Sequence, residues 1–190
     1  SDKDFQAMMQ IEKLDDFYKR VFLFYRETGM RLREPFIATL NGSWIDIPPE
    51  TKSKVGRSIE VSDLIKAIFL ELKDWQVNGY GSTIKDPGEH LSKVFKQYFK
   101  QVSVNVNIHF HSLRHTYAVR QLLMGRPIYD VKLHLGHASV TTTEQYSNMN
   151  LKRVAQDFPD LVKSSASMPK MAMEDMVLEG IQGDVSNYLT

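Results

Sequence analysis

His111 and Arg114 stand three residues apart in His111-Ser112-Leu113-Arg114, so on a helix the imidazole and the guanidinium project from one face. Such a pair suits a phosphate. Arginine offers a planar fork for two non-bridging oxygens, and histidine donates a hydrogen bond or exchanges a proton near neutral pH. Read alone, His-x-x-Arg is common and describes a plain helix-surface pair equally well. The downstream run Leu135-Gly136-His137-Ala138-Ser139-Val140-Thr141-Thr142-Thr143-Glu144-Gln145-Tyr146 changes that. A short helix stops at the glycine and presents His137 at its edge, and Thr141 with Glu144 forms a capping box for a helix carrying Tyr146, nine residues after His137.

This ordered pair of motifs resembles the tyrosine recombinases of the phage-integrase type. In that family a His-x-x-Arg helix is followed by a Leu-Gly-His turn, a Ser/Thr-rich segment and a nucleophilic tyrosine at this distance. The upstream half of the signature is similar too. Thr28-Gly29-Met30-Arg31, with Glu34 three residues on, resembles the motif that supplies the first catalytic arginine. Thr51-Lys52-Ser53-Lys54 followed by Arg57-Ser58-Ile59-Glu60-Val61 resembles the β-turn that carries the family's lysine. Lys52 fits the longer version of that turn and Lys54 the shorter; Lys52 is the one taken here. The resemblance spans residues 28–146.

It implies a catalytic set of Arg31, Lys52, His111, Arg114, His137 and Tyr146. A phenol of pKa near 10 is a poor nucleophile at neutral pH, and a phosphodiester repels it, so positive charge and a proton route are required. Arg31 and Arg114 would clamp the scissile phosphate and Tyr146 would attack phosphorus, while the lysine protonates the leaving oxygen and His111 and His137 assist. The implied product is a 3′-phosphotyrosyl link with a free 5′-hydroxyl. Because the bond energy stays in that ester, neither metal nor nucleotide cofactor is required. Double-stranded DNA is the implied partner, with a homotetramer on paired sites and an accessory DNA-bending protein as further expectations. Family members usually carry an additional N-terminal DNA-binding domain that nothing in this sequence provides, so the chain is expected to be a fragment. Type IB topoisomerases and telomere resolvases share the arginines and tyrosine, but the Leu-Gly-His turn favours a recombinase. A catalytically silent DNA-binding protein of the same fold is the alternative from another class.

Other polar clusters carry less. His111 and His115 have the spacing of helical zinc ligands, with His109 nearby. The glutamate of His-Glu-x-x-His is missing, however, and Arg114 between them repels a cation, so no metal site or metal-dependent hydrolase is expected. His90, His115 and His134 are read as structural or surface residues, and Trp44 and Trp75 as core.

The elements that must position these groups are mostly helical. Met8, Met9, Leu14, Phe17, Tyr18, Val21 and Phe22 recur at helical spacing over residues 5–26, with Gly29 as a stop. A short helical piece precedes two strands, Trp44-Ile45-Asp46-Ile47 and Ser58-Ile59-Glu60-Val61, which form a long-looped hairpin. Helical patterns follow at 63–75 and 89–102, separated by a polar loop over 78–88, and then at 113–123 and 128–135. The expected class is mainly α with a small β-hairpin or sheet (α+β). Residues 1–163 form the catalytic domain, and residues 164–190 form a linker and a C-terminal segment that docks in cis or on a neighbouring protomer.

Bulk composition is compatible with this reading. A chain of 190 residues with 42% hydrophobic content buries one good core. It has no cysteine, hence no disulfides and no thiol nucleophile, and no apolar run reaches membrane-spanning length. Cytoplasm of a bacterial or phage-infected cell, in association with the nucleoid, is the expected location. A net charge of +1 is low for a protein that neutralises phosphates. The charge is unevenly placed: Lys170 alone faces Glu174, Asp175, Glu179 and Asp184 over residues 164–190, so that segment carries −3 and the remainder +4.

Overall fold

The computed structural model describes residues 2–49, 56–103 and 108–136. Asp15 and Gly29 fix the ends of the helix that carries much of the core. The Asp15 carboxylate accepts from the Phe17 N–H at 2.8 Å, satisfying one of the donors a helix start leaves open. Gly29 closes the other end at φ 63°, its N–H on the Tyr25 carbonyl at 3.0 Å, a left-handed conformation without side-chain penalty for glycine. Between them α2 (Asp16–Thr28) buries Val21, Phe22, Phe24 and Tyr25. The single helical pattern expected over residues 5–26 is in fact two helices, α1 (Asp2–Met9) and α2. Asp15 starts the second helix afresh. The apolar spacing reads through the break because Met8 and Leu14, on either side of it, are both fully buried in one core.

The short helical piece after Arg31 is α3 (Glu34–Ile37), with Pro35 in its first turn. It leads into a sheet of three antiparallel strands rather than two, β1 (Thr39–Asn41), β2 (Trp44–Ile47) and β3 (Arg57–Glu60), in that order. The added strand is joined through the two-residue turn Gly42-Ser43, with Gly42 at φ 62°. Two residues beginning with glycine between short strand-like runs are a hairpin signal, and Gly42-Ser43 is the cue the two-strand reading missed. Side chains alternate faces, so Ile45, Ile47 and Ile59 point into the core while Trp44, next to Ile45, is 44% exposed. The assignment of Trp44 to the core is therefore wrong; Trp75 packs on the core, 5.2 Å ring to ring from Phe17.

Ser62 caps α4 (Asp63–Val77) and Asp86 caps α5 (Pro87–Phe99), each side chain accepting from a backbone N–H in the first turn. The polar loop between them holds one 3-10 turn, Tyr80–Thr83. Aromatic contacts tie these helices, and Phe110 just before α6, to α2: Phe22 lies 5.3 Å from Phe95 and 6.1 Å from Phe110, and Phe24 lies 6.0 Å from Phe69. Truncating a ring buried this fully, Phe22→Ala for example, costs about 3–5 kcal/mol. The remaining described helices are α6 (Ser112–Leu123) and α7 (Ile128–Leu135), the latter ended by Gly136 at φ 63° as its sequence implied. The chain divides into two units, residues 1–117 and 118–190.

Candidate active site

Arg31 follows the Gly29 cap directly, and several bonds hold the intervening backbone. Thr28 Oγ1 donates to the Phe24 carbonyl at 2.8 Å and accepts from the Met30 N–H at 3.3 Å. Tyr25, wholly buried, donates from its hydroxyl to the Leu32 carbonyl at 2.6 Å. Burial and the nearby Glu34 charge push that phenol well above its ordinary pKa, so Tyr25 is an anchor and not an acid. Arg114 donates from Nη1 to the Gly29 carbonyl at 2.7 Å. The segment that presents Arg31 is thus fixed from α2 and from α6 together.

Arg31 itself pairs with Glu34. Its N–H donates to Glu34 Oε2 at 2.7 Å and its Nη1 to Oε1 at 2.8 Å. Glu34 is 2% exposed, and it also receives a two-bond fork from Arg57, Nη1 to Oε1 at 3.0 Å and Nη2 to Oε2 at 2.7 Å. Burial alone raises a carboxyl's pKa, but the hydrogen bonds and charge of Arg57, with the bonds from Arg31, outweigh it and hold Glu34 below its ordinary 4.5. Glu34 is therefore an anion under two guanidiniums at neutral pH.

His111 precedes the first turn of α6, where Arg114 is buried. Protein atoms crowded around the imidazole disfavour its charged form, and the positive charges of His115, Arg114, His109 and Arg31 add to this, lowering its pKa from 6.5 to about 4. The effect of Arg31 on His111 puts the two within electrostatic reach. A pKa of about 4 leaves His111 an uncharged imidazole at neutral pH. Its ring lies 4.9 Å from that of His115, nearly perpendicular. Among the described residues no group of three or more His, Cys, Asp or Glu gathers to hold a metal. None of their helices is long and apolar enough to cross a membrane.

Of the six residues expected in the site, Arg31, His111 and Arg114 come together in the first unit. Lys52, His137 and Tyr146 lie outside the described residues, as do Lys54, the helix expected from Thr141 and the segment 164–190. Arg57, which the sequence reading quoted only as part of the lysine-turn motif and left outside its strand at Ser58–Val61, starts β3 and pairs with the buried Glu34. A cue existed: Arg57 lies opposite Ile47 and two residues from Ile59, so strand alternation puts it on the core face. A cation there requires a buried anion. The other histidines are elsewhere: His90 bonds the Tyr18 hydroxyl at 2.8 Å, and His134 is half-buried in α7.

A mainly helical domain with a small antiparallel sheet thus carries Arg31, Arg114 and an uncharged His111 in its first unit. Residues 2–153 match the phage integrase family, and the chain belongs to that family. Among individual relatives, the tyrosine recombinase XerC of Lacticaseibacillus casei (strain BL23) is 34% identical over 82 residues, 43% of this chain and 27% of the relative. The tyrosine recombinase XerC of Thermodesulfovibrio yellowstonii is 32% identical over 91 residues, 48% of this chain and 30% of the relative. The chain thus spans less than a third of the length of these two curated relatives. Among solved structures, the XerA recombinase aligns with a TM-score of 0.63 at 17% identity, over 90% of this chain and 63% of XerA. The Tn1549 transposon integrase in complex with transposon right end DNA aligns at 0.58 and 17% identity, over 85% of this chain and 64% of the integrase. XerH bound to palindromic difH substrate in a post-cleavage complex aligns at 0.59 and 18% identity, over 81% of this chain and 49% of XerH. The shared fold is the tyrosine recombinase catalytic domain.

Proposed function

We propose that this chain is the catalytic part of a site-specific DNA recombinase that cleaves and rejoins duplex DNA through a 3′-phosphotyrosyl intermediate on Tyr146. The observation that carries the proposal is the convergence of Arg31, Arg114 and neutral His111, held by the Arg114–Gly29 and Glu34–Arg31 bonds. Family membership and the DNA-bound recombinases among the structural relatives support the choice of substrate. Arg31 and Arg114 bind the non-bridging oxygens and stabilise the added charge of the pentacoordinate transition state. The Tyr146 oxygen forms a bond to phosphorus as the bond to the 5′-oxygen breaks. The tyrosine proton passes to the site's bases, and Lys52 protonates the leaving 5′-oxygen. Uncharged His111 serves as a hydrogen-bond donor or proton acceptor in this step. A 5′-hydroxyl from a second duplex reverses the sequence, which conserves the ester and needs neither metal nor ATP. His137 assists with phosphate hydrogen bonding.

The working assembly is a homotetramer on paired sites, aided by a DNA-bending protein, in the bacterial or phage-infected cell where the nucleoid lies. The test is incubation with a nicked suicide duplex in excess EDTA, followed by a denaturing gel and mass analysis. DNA attached at Tyr146 in the native chain, with none in Tyr146→Phe at unchanged duplex affinity, is the expected result. An adduct that persists in Tyr146→Phe, or no adduct in the native chain, overturns the reading.

A further inference from the structure

Glu34 is shared unequally between its two arginines. Arg57 covers both carboxylate oxygens with one guanidinium, at 3.0 and 2.7 Å, whereas the side chain of Arg31 meets Oε1 through Nη1 at 2.8 Å and its backbone N–H meets Oε2 at 2.7 Å. Side-chain exposure rises from 2% at Glu34 and 7% at Arg57 to 23% at Arg31, so the group that faces outward is Arg31. A carboxylate with one arginine to itself draws that guanidinium into a fork. At Glu34 the fork is already occupied, from β3, a strand that pairs with β2 through Ile47 opposite Arg57.

We propose that Arg57 is a positioning residue for the reaction: by taking the two-bond fork on Glu34 it fixes the carboxylate that orients Arg31 and prevents Arg31 from being drawn into that fork itself. The proposal rests on the reading that Arg31 binds the scissile phosphate. It follows from the geometry in two steps. A guanidinium bound through both donor edges to an internal carboxylate has less of its fork to offer a phosphate, and a displacement of about 1 Å in such a group costs about 10²-fold in rate. A buried carboxylate deprived of Arg57 also loses the partner that contributes most to keeping it ionised, so Glu34 takes up a proton at higher pH and lets go of Arg31 as pH falls.

The experiment compares the full chain with Arg57→Met, Arg57→Lys, Glu34→Gln and the Arg57→Met/Glu34→Gln pair. The rate of single-turnover adduct formation on the suicide duplex, duplex affinity and the Glu34 carboxyl titration are measured, the last by carbon-detected NMR assigned from the spectrum of Glu34→Gln. Arg57→Met is expected to slow cleavage about 10²-fold at unchanged duplex affinity, to raise the Glu34 pKa and to shift the acid limb of the cleavage rate upward. In the Glu34→Gln background the same change is expected to cost little more, because its route to Arg31 is already gone. Arg57→Lys retains a cation in the pocket and is the variant to read if Arg57→Met does not fold; it is expected to keep Glu34 ionised and still cleave slowly, since the fork is lost. Additive losses in the double variant, or an unmoved Glu34 titration with native cleavage in Arg57→Lys, overturn the proposal. No adduct from the native chain defeats the functional reading instead, while the Glu34 titration still reports whether Arg57 controls that carboxylate.

Discussion

Arg114 donates to the carbonyl oxygen of Gly29 at 2.7 Å, across 85 residues of sequence. Gly29 is the left-handed cap of α2, and Arg31 lies two residues beyond it. One arginine of the site therefore braces the turn that launches the other, and the two guanidiniums are set by one backbone segment.

The bond makes separable outcomes at the two arginines. Losing one donor to a transition-state oxyanion costs on the order of 10²–10³ in rate, and lysine restores charge without the fork. Arg114→Lys is expected to lose that much cleavage and also about 1–3 kcal/mol of stability, because a buried carbonyl and a buried pocket lose their partner. Arg31→Lys, at a side chain 23% exposed, is expected to lose comparable cleavage with a smaller stability change. Single-turnover adduct formation and urea unfolding measure the two effects; native cleavage by Arg114→Lys contradicts the assignment.

The pH dependence follows from His111 and Glu34. His111 has a folded pKa of about 4 against an ordinary 6.5, so between those values the unfolded chain binds the proton that the folded chain refuses. Its contribution is complete above 6.5 and declines as pH falls toward 4. Glu34, with a lowered carboxyl pKa, contributes fully above 4.5 and loses that contribution only as pH falls through its lower folded value. His115 and His90 are also lowered, chiefly by burial, and act in the histidine window, so the comparison is native chain against His111→Gln. The variant is expected to lose less stability between pH 6.5 and 4, and the native His111 ring is expected to titrate near 4 by NMR, moving upward when duplex phosphate binds. A midpoint near 6.5 in the free protein removes the basis for a neutral imidazole in the site.

Much of this was legible in the residues. Gly29 and Gly136 end their helices where left-handed caps do so most readily, because these signals are local, whereas Asp86-Pro87, read as part of the polar loop, starts α5 two residues before the expected 89. His111 stands just before α6 and Arg114 in its first turn, so their three-residue spacing is likewise a local relationship. What escaped depended on pairing between distant segments. Apolar spacing cannot show that residues 5–26 break at Asp15, since both pieces bury into one core. The face assigned to Trp44 depends on which neighbour points inward, and Arg57 acquires its meaning only when β3 brings it to Glu34, 23 residues away in sequence.

In the proposed reaction the leaving 5′-oxygen needs a proton, and Lys52 and Lys54, which fall between β2 and β3 in sequence, are the two candidates. A 5′-bridging phosphorothioate separates them, because its leaving thiolate departs without one. Lys52→Ala is expected to cleave ordinary DNA slowly and to recover on the sulfur substrate, while Lys54→Ala behaves as the native chain on both. Recovery in Lys54→Ala alone moves the role two residues along.

Residues 164–190 place Met171, Met173, Met176, Val177, Leu178, Ile181 and Leu189 behind the Ser-rich stretch 164–169, on a segment of charge −3. An apolar series of this kind is expected to dock in a hydrophobic groove. Docking on a neighbouring protomer would link each proposed active site to the presence of its partner. The acids would add a second effect, since a segment of charge −3 would compete with DNA phosphates for cationic side chains, and more strongly at low salt. Deleting residues 165–190 is therefore expected to weaken assembly on paired sites and to change the cleavage rate of an isolated site, with the larger change at low ionic strength. Sedimentation or native gels of the DNA complexes measure the first effect, and suicide-substrate kinetics at two salt concentrations measure the second. A truncated chain that assembles and cleaves like the full one at equal concentration shows that the segment has neither role.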